Sequence, residues 1–582
     1  GPDGFGETFI ETNMAMHVSL LHQRLSIIDE NGGSQPFNSN CMNYTIVFNG
    51  EIFNYKELRN LLKERGVQFR SRNSDTEVLL YMYIIFGVKM FSYLRGMWSF
   101  VIYDRLREVL FCARDNYGIK PLYYAQINNE VFISSELKTL HKLGMCGDID
   151  EQSIADYLAF QCIPNPRSIY KNINKVKPGY FLEFDLVKCS CRSEQYWKLE
   201  FDTKKLGVGE FTERLREELK DAINTWCVSD VEVTNTLSGG LDSSLIAALM
   251  SENFNAETLK TFTLGFSDNL HSIDERENAK YIANNFNFAH HEITLSSKEF
   301  FQDLNKMIYH LDEPYAGGLP SWFVFKEISK HSKVTLTGIG GDELFGNYNK
   351  VRVYGLPFYK KLNRLRLSSN MSRLAAFKNF LRYQDGYLFH KYFKGHEIQR
   401  LLLRHFPTIP EKTIEHNFRN SKSHIFSNKV AYTDFNLQLT DEFLHMADRF
   451  SMAHSVEART PFLDQKLVKF VFSHDIDTRY TVRDPKIALR RAAEKYLPRK
   501  CLSNRKQGFI LPEEKWIRTI LRDEIEWLLG RDYLKNQGLF SPEIYSFYIE
   551  PHMKNEMNYS WQIWTLFMFQ KWYIQAFSNE YS

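Results

Sequence analysis

The chain contains 582 residues, of which 43% are hydrophobic and 25% charged, and its formal net charge is +3. This length suggests two or more domains, and the composition is that of a soluble globular protein. The small net charge argues against nucleic-acid binding, and the eight irregularly spaced cysteines argue against a disulfide scaffold. We therefore expect a reduced, cytoplasmic protein.

The first part of the chain, to about residue 185, favours short strands interrupted by two helices. The predicted elements are strands at 43–54 and 121–136, a hairpin at 98–115 that turns at Asp104–Glu108, and helices at 54–66 and 74–87. The second helix contains "VLLYMYIIFGV" (78–88), about half the length of a membrane span, so we expect a buried helix and no membrane span. The pattern predicts an α+β domain with much antiparallel sheet.

A polar stretch at 186–209 is interpreted as a linker between two domains, residues 1–190 and 205–582. After it, strands are predicted at 231–237, 259–266, 290–295 and 333–338, and helices at 211–224, 241–252, 277–286, 298–311 and 321–331. Alternation of strands and helices predicts an α/β doubly wound parallel sheet. Residues from about 350 to 582 are predicted to be mostly helical.

The segment "SGGLDSS" (238–244) follows a predicted strand and begins a predicted helix. The amides of Gly239 and Gly240 and those that follow can approach an anion closely, and the hydroxyls of Ser238, Ser243 and Ser244 can donate to phosphate oxygens. Asp242 would repel a bare phosphate and makes most sense as a Mg²⁺ ligand. A helix cap alone would explain one hydroxyl, and the G-K-[ST] of a Walker A loop is absent.

A second strand end, "LTGIGGDELFGNY" (336–348), supplies further glycine amides together with Asp342 and Glu343. Because carboxyl ends of parallel strands meet at one edge of the sheet, Asp242 and Asp342 could share one magnesium–pyrophosphate unit. Alone, this second segment would be weak evidence for a phosphate site, since an ordinary loop with a helix-capping aspartate has a similar sequence.

Many segments in order resemble one family across nearly the whole chain. "SGGLDSS" is similar to the pyrophosphate loop of the N-type ATP pyrophosphatases. The second half resembles the synthetase domain of the glutamine-hydrolysing asparagine synthetases in "TLGF" (263–266), "TGIGGDELFGNY", "DRFSMAHSVEARTPFLDQKLV" (448–468), "PKIALRRAAEKYLP" (485–498) and "KQGFILPEEKW" (506–516). The first half resembles their class II glutamine amidotransferase domain in "GPDGFGE" (1–7), "HQRLSIID" (22–29), "NGEIFNY" (49–55), "SDTEVLL" (74–80), "GMWSFVIYD" (96–104), "ARDNYGIKPLYYA" (113–125) and "FISSELKTL" (132–140).

The resemblance implies a fold for each part: an N-terminal nucleophile-type domain of stacked antiparallel sheets, then an ATP pyrophosphatase domain with a helical C-terminal part. It implies that ATP adenylates a carboxylate and that ammonia from glutamine attacks the acyl-adenylate. By motif, Leu237 and Leu264 should flank the adenine, with Thr337 and Gly338 nearby. Lys486 falls at the lysine that steadies the α-phosphate; taken alone, it would be read as a surface lysine in a basic helix.

The same resemblance implies a glutamine site in the first half. Arg24 should pair with the α-carboxylate of glutamine, Glu51 and Asp75 should bind its ammonium group, and Asn49 and Gly50 should form the oxyanion hole. Each residue also has an ordinary reading: Arg24 as a surface ion pair, Asn49-Gly50 as a hairpin turn, Asp75 as a helix cap.

Three departures from the family pattern limit what it implies. The family's nucleophile is an N-terminal cysteine located before the "GPD" motif, whereas here the first cysteine is Cys41 in a polar loop. Either the sequence is a fragment, which the complete glutamine-binding set favours, or free ammonia is used. Ile339 stands where an acidic residue is usual, and Gly317-Gly318 stand where an aspartate and a small polar residue are frequent. Both changes fall near the expected acceptor pocket.

The leading hypothesis is a glutamine-linked carboxamide synthetase that uses ATP and Mg²⁺, with aspartate as the default acceptor and asparagine as product. One alternative keeps this chemistry and changes the acceptor to a uronate sugar of a surface polysaccharide or to a peptide carboxylate. Another is an ammonia-dependent or non-catalytic nucleotide-binding relative. The expected partners are small molecules, and a homodimer is one assembly that the sequence allows.

Overall fold

The structure is a computed structural model of the chain. It describes residues 1–12, 17–30, 32–267, 275–346, 392–479, 481, 486–502 and 511–577. Parts of three segments used above (347–348, 485 and 506–510) lie outside these ranges, as does part of the predicted helical region.

Antiparallel strands dominate the first 195 residues. They are β1 (Gly4–Glu11), β2 (His17–Arg24), β3 (Phe37–Asn38), β4 (Tyr44–Ile52), β5 (Gly96–Asp104), β6 (Val109–Arg114), β7 (Tyr123–Ile127), β8 (Glu130–Ser134), β9 (Ile173–Lys175), β10 (Tyr180–Asp185) and β11 (Ser190–Gln195). A six-stranded sheet has the order β11-β10-β6-β5-β4-β3, and two smaller sheets have the orders β8-β7-β9 and β1-β2. The predicted hairpin is therefore β5–β6.

Every residue of β5 is buried, because both faces of the large sheet are covered. Phe100 and Ile102 pack in a core that includes the helices Tyr55–Lys63 (α1) and Asp75–Phe86 (α2). Val101 and Tyr103 point the other way and pack with residues of β2 and the segment around β7. This layered arrangement confirms the predicted antiparallel domain.

Helix α2 shows why the apolar run 78–88 is a core element. The side chain of Ser74 accepts a hydrogen bond from the amide of Glu77 and caps the helix, as the sequence predicted. The first nine residues of the helix are all buried. Across the described ranges, every helix is too short or too polar to cross a bilayer.

The predicted linker is wrong in its first part. Residues 190–195 form β11, an exposed edge strand paired with β10 along its whole length. Its polar composition reflects solvent exposure on an edge strand rather than an absence of regular structure.

The second half is built on a parallel sheet. Its strands are β12 (Val233–Thr236), β13 (Lys260–Phe266), β14 (Ala289–Leu295), β15 (Val334–Leu336) and β16 (Glu457–Arg459), in the order β14-β13-β12-β15-β16. All four pairings are parallel. The order reverses between β12 and β15, which creates a switch point where ligands of such sheets bind. The doubly wound prediction is confirmed, but β16 lies 121 residues after β15 and was not predicted.

All seven individually predicted helices are present, whereas Leu137–Lys142, Glu151–Phe160 and Gly341–Phe345 form helices that were not predicted. The described helices are numbered in chain order. After α1 and α2 they are α3 (Leu137–Lys142), α4 (Glu151–Phe160), α5 (Val208–Trp226), α6 (Leu241–Met250), α7 (Arg276–Phe286), α8 (Ser297–Leu311), α9 (Ser321–Ile328), α10 (Gly341–Phe345), α11 (Gly395–Leu401), α12 (Glu411–Asn420), α13 (Phe426–Thr433), α14 (His445–Ala453), α15 (Gln465–Phe472), α16 (Ile476–Arg479), α17 (Ile487–Ala493), α18 (Arg499–Leu502), α19 (Glu513–Arg518), α20 (Arg522–Leu528), α21 (Arg531–Gln537), α22 (Glu550–Met553) and α23 (Ser560–Phe577). Two π-helical stretches, Asp434–Leu444 and Tyr545–Ile549, precede α14 and α22.

Candidate functional site

The segment after β12 forms a tight loop that opens α6. The hydroxyls of Ser238 and Ser243 lie 3.1 Å apart, and the Ser238 hydroxyl accepts a hydrogen bond from the amide of Gly240. Gly239 has φ = +74°, and a Cβ there would lie 2.6 Å from the Cβ of Asn278. Only glycine meets both demands, so helix α7 can pack directly against the loop.

The loop after β15 packs onto the first loop through two glycines. A Cβ on Gly338 would lie 3.2 Å from the Cβ of Asp242, and one on Gly341 would lie 2.8 Å from its Cγ. The amide of Thr337 donates to the carbonyl of Arg459 at 2.8 Å, which fixes the start of this loop to β16. The two strand ends therefore meet at the Asp242 side chain, as the sequence predicted.

Lys486 joins these loops from the N-terminus of α17. Its Nζ lies 2.5 Å from Oδ2 of Asp242 and 2.6 Å from Oδ1 of Asp342, and all three side chains are buried. Both carboxylates thus reach the same point in space, so they are close enough to share one cation. Paired carboxylate oxygens are the donors that Mg²⁺ prefers, so the residues present fit this ion.

The remaining predicted nucleotide residues occupy the same edge of the sheet. Leu237 directly follows β12, and Leu264 lies within the adjacent strand β13. Both are buried, and the amide of Leu237 donates to the carbonyl of Phe262. Ser244 is fully buried, and its amide donates to the carbonyl of Gly240 within the first helical turn. The Ser244 amide is therefore engaged within the helix, whereas its hydroxyl has no hydrogen-bond partner among the described residues.

A polar cavity in the first half brings together all five predicted glutamine residues. Arg24, Asn49, Gly50, Glu51 and Asp75 line it. Asn49 and Gly50 lie within β4 opposite β5, so the alternative of a hairpin turn is wrong. Gly50 has φ = +141°, and a Cβ there would lie 2.1 Å from the carbonyl oxygen of Met97, so this strand position requires glycine.

Arg24 is anchored from behind. Its guanidinium donates to the carbonyls of Ile28, Asp29 and Glu30, each at 2.8 Å. The N–H groups that remain are Nε–H and one on Nη1, and they lie on different edges of the guanidinium, so a ligand carboxylate would meet one of them. The anchoring fixes the guanidinium at the cavity wall.

Glu51 and Asp75 form a buried carboxylate pair. Burial, together with the charges of Asp75 and Glu457, raises the pKa of Glu51 well above its usual range, and burial also raises the pKa of Asp75. The amide of Ile52 donates to Asp75, whereas Oε2 of Glu51 has no hydrogen-bond partner among the described residues. A buried acceptor without a partner favours a ligand that brings a donor, such as an ammonium group.

Comparison with protein families decides the relationship of the chain. A model of the asparagine synthase family matches residues 214–574, and a model of a glutamine amidotransferase domain matches residues 1–197. The chain belongs to the asparagine synthase family. Membership makes it an enzyme, a carbon–nitrogen ligase with an amidotransferase domain.

Individual relatives agree with this assignment. The glutamine-hydrolyzing asparagine synthetase 1 of Bacillus subtilis (strain 168) is 33% identical, covering 98% of this chain and 91% of the relative. A putative glutamine-hydrolyzing asparagine synthetase 2 of Methanocaldococcus jannaschii is 35% identical over 62% of this chain and 73% of its own length. Among solved structures, the glutamine phosphoribosylpyrophosphate amidotransferase from B. subtilis is 14% identical, covers 54% of this chain and 60% of its own, and has a TM-score of 0.22.

The predicted acceptor residues of this ligase lie in two places. Gly317 sits beside Tyr315 and Glu442, since its Cβ would lie 2.7 Å from the Tyr315 hydroxyl and 3.4 Å from a Glu442 carboxylate oxygen. A Cβ on Gly318 would lie 3.1 Å from the terminal carbon of Met446. Ile339 is half-buried in the loop that leads to Asp342 and packs on the core of the sheet. Gly317-Gly318 thus precede α9, whereas Ile339 follows β15.

The sequence analysis did not predict the residues of the second half that line the polar cavity. Met452 and Glu457 contribute to its wall, as does Lys120 of the first half. All three fall in segments used only for the family resemblance. Nothing in the local sequence pattern marks Lys120 or Glu457, and β16 is too short for its pattern to be recognised.

Gly341→Ala is expected to lower the rate of nucleotide chemistry at least tenfold without unfolding the protein. The new methyl group would push the Asp242 carboxylate away from Lys486, and a shift of about 1 Å in a reacting group can lower a rate by two orders of magnitude. Carboxylate-dependent pyrophosphate release measures the effect. Gly207→Ala is the control, because a Cβ at Gly207 meets nothing within 4 Å; equal rates for both variants would contradict the proposed packing.

Proposed function

We propose that this enzyme amidates a carboxylate by way of an acyl-adenylate, using ATP and ammonia taken from glutamine. With aspartate as acceptor, the reaction is aspartate + glutamine + ATP to asparagine + glutamate + AMP + pyrophosphate. The single observation that carries the proposal is the convergence of Asp242, Asp342 and Lys486 at one point of the sheet edge.

The chemistry needs these groups because a carboxylate is a poor electrophile until one oxygen becomes part of a good leaving group. The loop Ser238–Ser244 would hold the departing pyrophosphate through amides and hydroxyls. Mg²⁺, held by Asp242 and Asp342, would neutralise charge on the pyrophosphate. Lys486 would face the α-phosphate, where negative charge develops as the acceptor oxygen attacks.

The glutamine half of the proposal rests on the cavity in the antiparallel domain. Arg24 would bind the α-carboxylate of glutamine through its positive charge and one remaining N–H group, and Glu51 and Asp75 would bind the ammonium group. Asn49 and Gly50 would donate to the oxyanion that forms when the amide is attacked. Ammonia released in this domain would then attack the adenylated acid in the other domain.

A cytoplasmic location remains a prediction of composition. All eight cysteines are free thiols, two of them in the C-x-C of the edge strand region, which suits a reducing compartment.

The proposed function is tested with a panel of carboxylic acids in a pyrophosphate-release assay supplied with ATP, Mg²⁺ and ammonium. We expect acid-dependent release with aspartate or with a uronate or peptide acid. Complete absence of release with every acid would favour the nucleotide-binding alternative over an enzyme of this type.

Ile339→Glu is expected to raise the amidation of aspartate by ammonium about tenfold, measured as asparagine formed. The acidic group would help deprotonate the attacking ammonia, a role that isoleucine cannot perform; general-base assistance contributes about 10²–10⁴-fold, and burial of the new carboxyl offsets part of it. Ile339→Gln is the matched control, with the same shape and no basic group. If neither variant gains, the acceptor is set by the pocket at Gly317-Gly318 and not by Ile339.

A further inference from the structure

Glu457 belongs to the synthetase half of the chain but lines the glutamine cavity of the other half. Its Oε1 accepts a hydrogen bond from Nε of Arg459 at 2.8 Å, and its Oε2 lies 4.0 Å from Nζ of Lys120. The side chain is buried, so its charge acts in a medium that screens weakly.

Lys120 and two carboxylates form a group of buried charges at this cavity wall. The Lys120 ammonium is buried, and Asp448 lies 3.1 Å away on its other side. Although burial lowers the pKa of Lys120, the charges of Asp448 and Glu457 together raise it. Glu457 already lies between the cations Lys120 and Arg459, and a glutamine ammonium bound at Glu51 and Asp75 would add a further cation near this carboxylate.

The strand that carries Glu457 also touches the nucleotide loop. Glu457 and Arg459 are the first and last residues of β16, about 7 Å apart at the usual rise of a strand. The carbonyl of Arg459 accepts the hydrogen bond from the Thr337 amide at 2.8 Å, at the start of the loop that ends in Asp342. One three-residue strand therefore has a side chain in one site and a main-chain bond in the other.

We propose that Glu457 is a positioning residue that couples the two sites. A bound glutamine ammonium group attracts the Glu457 carboxylate, and the resulting position of β16 is transmitted to Thr337 through the main-chain hydrogen bond of Arg459. The inference rests on the proposed function, because it takes glutamine and ATP as the two ligands. ATP and glutamine then favour the same placement of β16, so each raises the affinity for the other by the same factor.

The test is isothermal titration of the chain with L-glutamine, with and without ATP and Mg²⁺ and with no acceptor acid. We expect ATP to tighten glutamine binding about fivefold in the unsubstituted chain. Glu457→Gln keeps the side-chain shape and an oxygen for Arg459 but removes the charge. We expect it to weaken glutamine binding about tenfold and to abolish the effect of ATP.

Asp448→Asn is the matched variant, since it removes a carboxylate from the same Lys120 but lies on α14 and not on β16. It should weaken glutamine binding while the effect of ATP persists. Loss of the ATP effect in both variants would assign the coupling to Lys120 and overturn the role of β16. An unsubstituted chain whose glutamine affinity ignores ATP would overturn the coupling outright.

Two further readouts separate this inference from the proposed function and from misfolding. Without ligands, Glu457→Gln and Asp448→Asn should melt at similar temperatures, so a difference between them in the effect of ATP reports coupling and not loss of fold. If the unsubstituted chain binds no glutamine, the glutamine half of the proposed function fails and the inference fails with it. If glutamine binds equally to both chains, the inference alone fails.

Discussion

Replacement of Asp242 by alanine is expected to lower carboxylate-dependent pyrophosphate release about 10³-fold, because it removes a proposed Mg²⁺ ligand and a partner of Lys486. ATP–pyrophosphate exchange should disappear to the same extent. The fold should persist, since Asp342 still neutralises Lys486 at 2.6 Å.

The matched control for this variant is Asp303→Ala on α8. Asp303 is as buried as Asp242 and also pairs with lysines, Lys306 and Lys326, but belongs to neither phosphate loop. Its loss should lower the melting temperature and leave the rate at a given folded fraction nearly unchanged. Exchange activity that survives in Asp242→Ala, with normal folding, would remove this residue from the phosphate site.

The phosphate loops were predictable because their chemistry is local. "SGGLDSS" and "GIGGDE" each follow a strand with a clear apolar pattern, and parallel strands bring their carboxyl ends to one edge. That rule alone predicts that the two loops lie next to each other, without knowledge of other long-range contacts. The role of the glycines at 338 and 341 as contacts of Asp242 was not predicted, since it depends on how the loops approach each other.

Lys486 and Glu457 show what the sequence pattern alone does not supply. Lys486 begins an ordinary basic helical segment, "KIALRR", and only the family resemblance assigned it to the site instead of the surface. Glu457 lies on a three-residue strand that joins the sheet after 120 intervening residues, and such a pairing leaves no periodic pattern in the sequence. The positions of both residues depend on contacts with distant parts of the chain. Packing decides these positions, and local helix or strand propensity does not.

Lys486→Ala is expected to lower the kcat of pyrophosphate release by about 10²-fold or more while the KM for ATP changes little, because the proposed role appears only as charge develops on the α-phosphate. The variant should also bind Mg²⁺ more tightly. Without the ammonium, Asp242 and Asp342 face each other as buried like charges, which a divalent cation relieves.

This opposite change in Mg²⁺ dependence separates Lys486 from Asp242, whose loss should weaken Mg²⁺ binding. Thermal melting measures it without turnover: Mg²⁺ should raise the melting temperature of Lys486→Ala more than that of the unsubstituted chain, because a ligand stabilises the folded state in proportion to its affinity. Lys495→Ala, at an exposed lysine nine residues further along, is the control and should change neither rate nor Mg²⁺ response. A Lys486→Ala variant that needs more Mg²⁺ would place the two carboxylates in separate roles and would contradict a shared cation.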